Sequence, residues 1–193
     1  MITHISGKLV EKSPTNVVVD CNGIGYFVHI SLHTFSQLTD SEHIKLLTHF
    51  QVKEDAQQLY GFATASEREI FRLLISVSGI GTNTARTMLS SLTPKQVREG
   101  IASEDVALIQ SVKGIGLKTA QRVIIDLKDK VLKIYDIDDG INPSNNTNKD
   151  EALSALEVLG FAKKQSERVV VKILSQNPDA SAELIIKEAL KNL

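Results

Sequence analysis

The chain of 193 residues has a single cysteine, Cys21, so no disulfide can form within it and a reducing compartment is the expected setting. Long apolar runs are missing too. No stretch approaches the roughly 20 residues needed to cross a bilayer. The N-terminus, Met1 to Lys8, lacks a basic segment followed by an apolar one, so no secretory signal is expected. These absences leave a soluble, cytoplasmic protein. No Gly-x-x-x-x-Gly-Lys-Ser/Thr loop occurs, so ATP binding is not expected. The histidines, His4, His29, His33, His43 and His49, have no metal-ligand spacing. Cys21 lies inside a β run, where a small core residue is commoner than a nucleophile. No metal, no cofactor and no catalytic residue is therefore expected.

An excess of charge of either sign is also missing, since the net charge is −1. Its distribution is uneven. Residues 1–64 carry net −2, residues 65–135 net +4 and residues 136–193 net −3. A polyanion should bind the middle segment and be repelled elsewhere.

The hydrophobic pattern divides the chain in the same places. The first 62 residues read as β. Val17–Val19 leads to Asn22-Gly23, a strong hairpin signal, and then to Tyr26, Val28 and Ile30 in alternation. Ile44, Leu46, Thr48, Phe50 and Val52 alternate again, Lys53 to Gln57 form a polar tip, and Leu59 to Phe62 return as a strand. Short strands with turn signals predict a small barrel or sandwich, with one or two helical turns between Leu32 and Leu38. From Ser66, placed as a helix start with acidic residues in the first turn, the period becomes helical and stays so to about Tyr135. Residues 136–149 have linker composition. Beyond them Glu151 to Leu193 read as three short helices, stopped by Gly160 and by Pro178-Asp179.

Within the basic segment one motif occurs twice. A shift of 35 residues lays Ser76–Ala85 on Ser111–Ala120, with seven of ten positions identical. Each copy carries Gly-Ile-Gly between apolar helical stretches: Gly79-Ile80-Gly81 and Gly114-Ile115-Gly116. Two glycines permit positive φ and close backbone approach. The isoleucine can point inward and lock two helices. The following helix begins with unpaired N–H groups at the positive end of its dipole, ready for a phosphate oxygen. Lys113, Lys118, Thr119 and Arg122 surround the second copy, Asn83 and Arg86 the first. Such contacts grip the sugar–phosphate backbone without reading sequence. The bland alternative is a repeated hairpin that only packs. A lone copy would favour it, but two copies inside the one basic segment argue for DNA binding.

These features together resemble the RuvA family, whose members bind Holliday junctions within a branch-migration complex. The resemblance spans nearly the whole chain. It rests on Ile5-Ser6-Gly7-Lys8-Leu9, Gly23-Ile24-Gly25-Tyr26, Glu54 to Phe62, both hairpins, and Ala152 to Phe161. It implies an α+β multidomain fold: an OB-fold barrel at 1–64, a tandem helix-hairpin-helix domain at 65–139, a flexible linker at 140–148, and a three-helix, UBA-like bundle at 149–193. It further implies a homotetramer, with one tetramer or two on an open four-way junction. The C-terminal domain would bind the hexameric ATPase RuvB, and the resolvase RuvC would share the junction, so the chain itself would be a non-catalytic subunit in recombination and repair. Glu54 and Asp55 match the family's acidic pin, which would repel phosphates at the crossover; a solvated hairpin tip is the alternative. Leu156, Leu159, Phe161 and Leu184 are candidates for the partner face, unless they simply pack the bundle. The family often has a basic residue where this chain has Asn83, and Arg86 is the expected substitute.

Two rivals compete. Gly114 to Ala120 also resembles the hairpin of bifunctional DNA glycosylases, with Lys118 as nucleophile and Asp136 as the catalytic carboxylate. Against it stand the Tyr135-Asp136-Ile137-Asp138 context, the β region upstream where a helical domain should hold a flipped base, and the lack of a cysteine cluster. The other rival is a duplex-binding protein with no preference for junctions.

Overall fold

A computed structural model describes residues 1–39, 41–131, 148–178 and 180–193. The chain falls into two compact units, Met1–Asp139 and Gly140–Leu193. The expected linker, 140–148, lies almost wholly outside the described residues, as do Asp136 and Asp179.

Strands β1 (His4–Lys12), β2 (Asn16–Cys21), β3 (Ile24–Ile30), β4 (His43–Val52) and β5 (Gln57–Phe62) close into a barrel in the order β1-β2-β3-β5-β4. Asn22 and Gly23 have φ of 54° and 89°, the two positive values a type I′ turn needs, and Cys21 pairs with Ile24 across it. β1 serves two neighbours. Its first half pairs with β4 and its second with β2, with a register shift between Leu9 and Glu11 that bends the strand. A parallel pairing of β3 with β5 completes the closure. Alternate residues Val17, Val19, Val28, Ile30, Ile44, Leu46 and Leu59 fill the interior. Helix α1 (Leu32–Gln37) sits between β3 and β4. This strand order is that of a five-stranded OB barrel.

The helical part follows as α2 (Ala65–Ile75), α3 (Thr82–Ser91), α4 (Pro94–Ala102), α5 (Val106–Gln110) and α6 (Leu117–Val131). Helix α2 starts two residues earlier than a cap at Ser66 would place it. Thr64, not Ser66, is its cap, accepting a 3.2 Å hydrogen bond from the Glu67 amide. Thr93 and Gln96 form a reciprocal capping box on α4, with Pro94 at the position where a missing N–H costs nothing.

The helical core reaches onto the last strand of the barrel, whose interior is otherwise filled by its own cluster. Tyr60 and Phe62 of β5 join Phe71, Leu74, Ile80, Ile115 and Leu127 in a single apolar cluster. Phe71 is its hinge point, with ring centroids 5.2 Å from Tyr60, 4.9 Å from Phe62 and 5.5 Å from His49. Burying a ring this fully stabilises by roughly 2–3 kcal/mol. The boundary expected at residue 64 therefore falls inside one compact unit.

A buried carboxylate reinforces that seam. Glu67 is enclosed and accepts hydrogen bonds from the Ser31 hydroxyl on one oxygen and, at 2.6 Å, from Thr34 Oγ1 on the other. Thr34 Oγ1 in turn accepts from the Ala63 amide at 3.2 Å. Burial pushes the Glu67 carboxyl above its ordinary range, and the two hydroxyl donors pull it part of the way back.

The second unit holds α7 (Asn148–Val158), α8 (Lys163–Gln176) and α9 (Ala182–Asn192). Gly160, at φ 95°, ends the turn after α7; its amide donates to Glu157 O and the Phe161 amide to Leu156 O. Those two bonds, with Phe161 against Leu156, make a Schellman cap. Ala152, Leu156, Val170, Ile185 and Ala189 form the bundle core.

Candidate nucleic-acid interface

The two Gly-Ile-Gly turns have the same geometry. Ile80 and Ile115 are each 5% exposed, and Val77 and Val112 are each 2% exposed. The Ile80 amide donates to Val77 O at 3.0 Å, and the Ile115 amide to Val112 O at 3.1 Å. Ala85 donates to Gly81 O and Ala120 to Gly116 O, both at 2.9 Å. The inward isoleucine locks each hairpin as its sequence predicts.

The glycines differ in what they do. Gly79 and Gly114 carry the positive φ, 96° and 91°, which only glycine adopts without strain. Gly81 is not left-handed: at φ −87° and ψ 171° it is an extended cap that any residue could adopt. The expectation that both glycines serve the turn is corrected accordingly. A Cβ added at Gly81 or at Gly116 would meet no atom within 4 Å. Internal packing thus gives no reason for either second glycine. Gly81 caps α3 without a side-chain hydrogen bond, so the first amides of that helix are left for an outside acceptor. An atom group that needs both bare backbone and N–H donors, such as a phosphate, fits this surface.

The surrounding side chains divide into two groups. Lys113 and Lys118 are exposed beside the second hairpin, Asn83 is exposed beside the first, and Thr119 is half-buried. Arg86 is not turned to the first hairpin. Its Nη1 donates to Thr15 O at 3.2 Å and lies 3.4 Å from His29 Nδ1, so it braces α3 against the barrel. Partial burial of the His29 ring, and after it the neighbouring Arg86 charge, hold His29 below its ordinary pKa. Arg122, on the helix of the second hairpin, reaches the other way: its Nη1 lies 3.5 Å from Ser78 O in the first turn.

Glu54 and Asp55 sit exposed at the tip of the β4–β5 hairpin, closed by a 2.8 Å bond from the Lys53 amide to Ala56 O. In the C-terminal unit, Leu156 is fully enclosed in the bundle and cannot touch a partner while the bundle stays closed. Phe161 is half-buried against the same core, whereas Leu159 and Leu184 are exposed.

One polar residue at the site escapes a reading of the motif. Thr82, the first residue of α3, is buried, and its hydroxyl meets Tyr60 and Gln51 of the barrel. The signal was a break in the repeat, because the matching position in the second copy is Leu117, half exposed.

A closed five-stranded barrel fused to two matched helical hairpins, each with an open glycine at a helix start, defines a class of nucleic-acid-binding proteins. The sequence matches the RuvA N-terminal domain over residues 1–61, the SAM-like helix-hairpin-helix tandem over 71–129 and the RuvA C-terminal domain over 147–193. It is 66% identical to the Holliday junction branch migration complex subunit RuvA of Flavobacterium psychrophilum and 65% identical to that of Christiangramia forsetii, over the full length of each chain. The Bacteroides thetaiotaomicron subunit is 48% identical, also over full length. The chain belongs to the RuvA family. Upstream of the hairpins lies a closed barrel, not the helical domain that a glycosylase would need to hold a flipped base. Among the described residues no helix is long and apolar enough to cross a membrane.

Proposed function

We propose that this chain is the junction-binding, non-catalytic subunit of a branch-migration complex acting in recombination and repair. The observation that carries the reading is the pair of second glycines, Gly81 and Gly116, bare and open at equivalent hairpins. Gly79, Gly81 and Asn83 clamp one stretch of phosphate backbone; Gly114, Gly116, Lys113, Lys118 and Thr119 clamp another. Arg122 lies between the hairpins, and Arg86 acts from behind by holding α3 to the barrel.

Four copies surround a four-way junction, held open and nearly planar. Exposed apolar residues on the barrel, including Val10, Ile24 and Phe27, support such self-association. Glu54 and Asp55 face the crossover. At an effective dielectric of about 20, a carboxylate about 6 Å from a phosphate is repelled by about 3 kcal/mol, enough to disfavour continuous duplex there. The domains divide as 1–64, 65–139, 140–148 and 149–193. The last binds RuvB through its exposed apolar residues, Leu159 and Leu184 among them. RuvB supplies ATP hydrolysis, RuvC cuts the junction, and all of this takes place in the cytoplasm.

A gel shift comparing a four-way junction with linear duplex of equal length tests the reading, together with mass measurement with and without junction. Tighter junction binding by a tetramer, or by two, is expected. Equal affinity for the two DNAs would favour a plain duplex binder.

A further inference from the structure

The two hairpins are alike in backbone but not in what lies behind them. At the residue after the second glycine, the second copy has Leu117 in solvent, while the first has Thr82 buried against the barrel. Thr82 Oγ1 donates to Gln51 Oε1 at 3.0 Å. Tyr60 Oη donates to Thr82 Oγ1 at 2.9 Å and has Gln58 Oε1 as its alternative acceptor at 3.0 Å. The Tyr60 ring is itself fixed between His29 and Phe71, with centroids 5.4 and 5.2 Å away. Its hydroxyl is thus held in place at the seam between barrel and helices.

Gln51 and Gln58 face each other across the β4–β5 hairpin. Only the Val52–Gln57 pair lies between them and the tip that carries Glu54 and Asp55. Beyond that rung the ribbon is two strands wide, which is marginal on its own in water. From Gln51 to Asp55 the chain reaches at most about 13 Å, so a swing of about 10° at its base moves the tip by about 2 Å. A displacement of that size matters for a carboxylate whose effect depends on distance to a phosphate.

We propose that Tyr60, Thr82, Gln51 and Gln58 are positioning residues, which set the place of the acidic tip relative to the first phosphate clamp. Thr82 belongs to both parts: its hydroxyl holds the base of the tip, and its backbone opens the helix that faces the phosphate. The second hairpin has no such tie, and its threonine is replaced by leucine. The use of this placement rests on the reading that the tip faces the junction crossover; the placement itself does not.

The test uses the full chain with Tyr60→Phe and Thr82→Val, which keep shape and remove a hydroxyl, and Thr82→Ser, which keeps the hydroxyl. Amide hydrogen exchange reads the placement without DNA. Exchange over residues 50–58 should quicken about 3- to 10-fold in the first two variants, as one lost hydrogen bond implies, while Val19 in the barrel and the Thr82→Ser chain stay at parent rates. The affinity ratio of junction to duplex should fall by a similar factor, and combining Tyr60→Phe with Glu54→Gln and Asp55→Asn should lower it no further than the tip changes alone. Unchanged exchange at the tip in both variants would overturn the proposal, as would an additive loss in the combined variant. If neutralising the tip leaves the ratio at its parent value, the repulsive role of the tip fails, while faster exchange in Tyr60→Phe still upholds the placement.

Discussion

Gly81→Ala should separate folding from binding. At φ −87° and ψ 171° alanine is unstrained, and its Cβ meets nothing within 4 Å. The folded state therefore loses no contact. The unfolded chain loses some freedom, which offsets alanine's weaker capping of α3, so stability should stay within about 1 kcal/mol of the parent. The added methyl group, however, stands on the surface where a phosphate would rest against the helix start. Losing charge-assisted backbone hydrogen bonds worth about 1.5–3 kcal/mol should weaken junction binding by about 10-fold or more. Gly116→Ala should behave in the same way. Gly79→Ala is the contrast. At φ 96° an alanine is strained by roughly 1–2 kcal/mol, which lowers Tm by about 2–8 °C. Thermal melts and fluorescence anisotropy on a labelled four-way junction measure both quantities on one set of proteins. Parent-like affinity in a folded Gly81→Ala, Gly116→Ala double variant would refute the argument that bare backbone at these turns receives the phosphate.

Other outcomes follow from the same geometry. Lys118→Ala should weaken binding to all DNA sequences alike and reduce the slope of log affinity against log salt by about 1; an unchanged slope would remove Lys118 from the phosphate contacts. Burial raises the Glu67 carboxyl, so the stability it contributes is full below the ordinary value of 4.5 and is lost as pH rises through the native value. Glu67→Gln has no proton to lose, so its stability relative to the parent should improve from pH 4 to pH 8, and thermal melts showing a constant difference would contradict this. A chain ending after Asp139 should keep junction binding within about 3-fold yet lose stimulation of RuvB, which a branch-migration assay reads directly.

Local features were the legible ones. Asn22-Gly23, Gly160 and the Gly-Ile-Gly turns each need a backbone state that few residues adopt, so short motifs reveal them. The repeat raised the hairpins above a chance match because both copies require the same buried valine, isoleucine and alanine. What stayed hidden depends on neighbours far along the chain. Arg86 reads as a DNA contact by position, but the Thr15 carbonyl lies 71 residues away and captures it. Glu67 reads as a first-turn acid and is one, yet Ser31 and Thr34 bring it indoors. Thr64 displaced Ser66 as the cap because its side chain takes the Glu67 amide and starts α2 two residues sooner. Leu156 has the spacing of an exposed stripe and the burial of a keystone.

The ring cluster around Phe71 has a consequence for how the first unit comes apart. Tyr60 and Phe62 belong to the last strand of the barrel, and Ile80 and Ile115 to the hairpins, yet all share one cluster. Partial melting that freed the hairpins would expose the barrel's own aromatic wall, so the two should open as one cooperative foldon. Phe71→Ala, at a cost of about 3–5 kcal/mol, should lower the melting of the hairpins and of the last barrel strand together. The two turns then keep their shape for as long as the last strand of the barrel keeps its place.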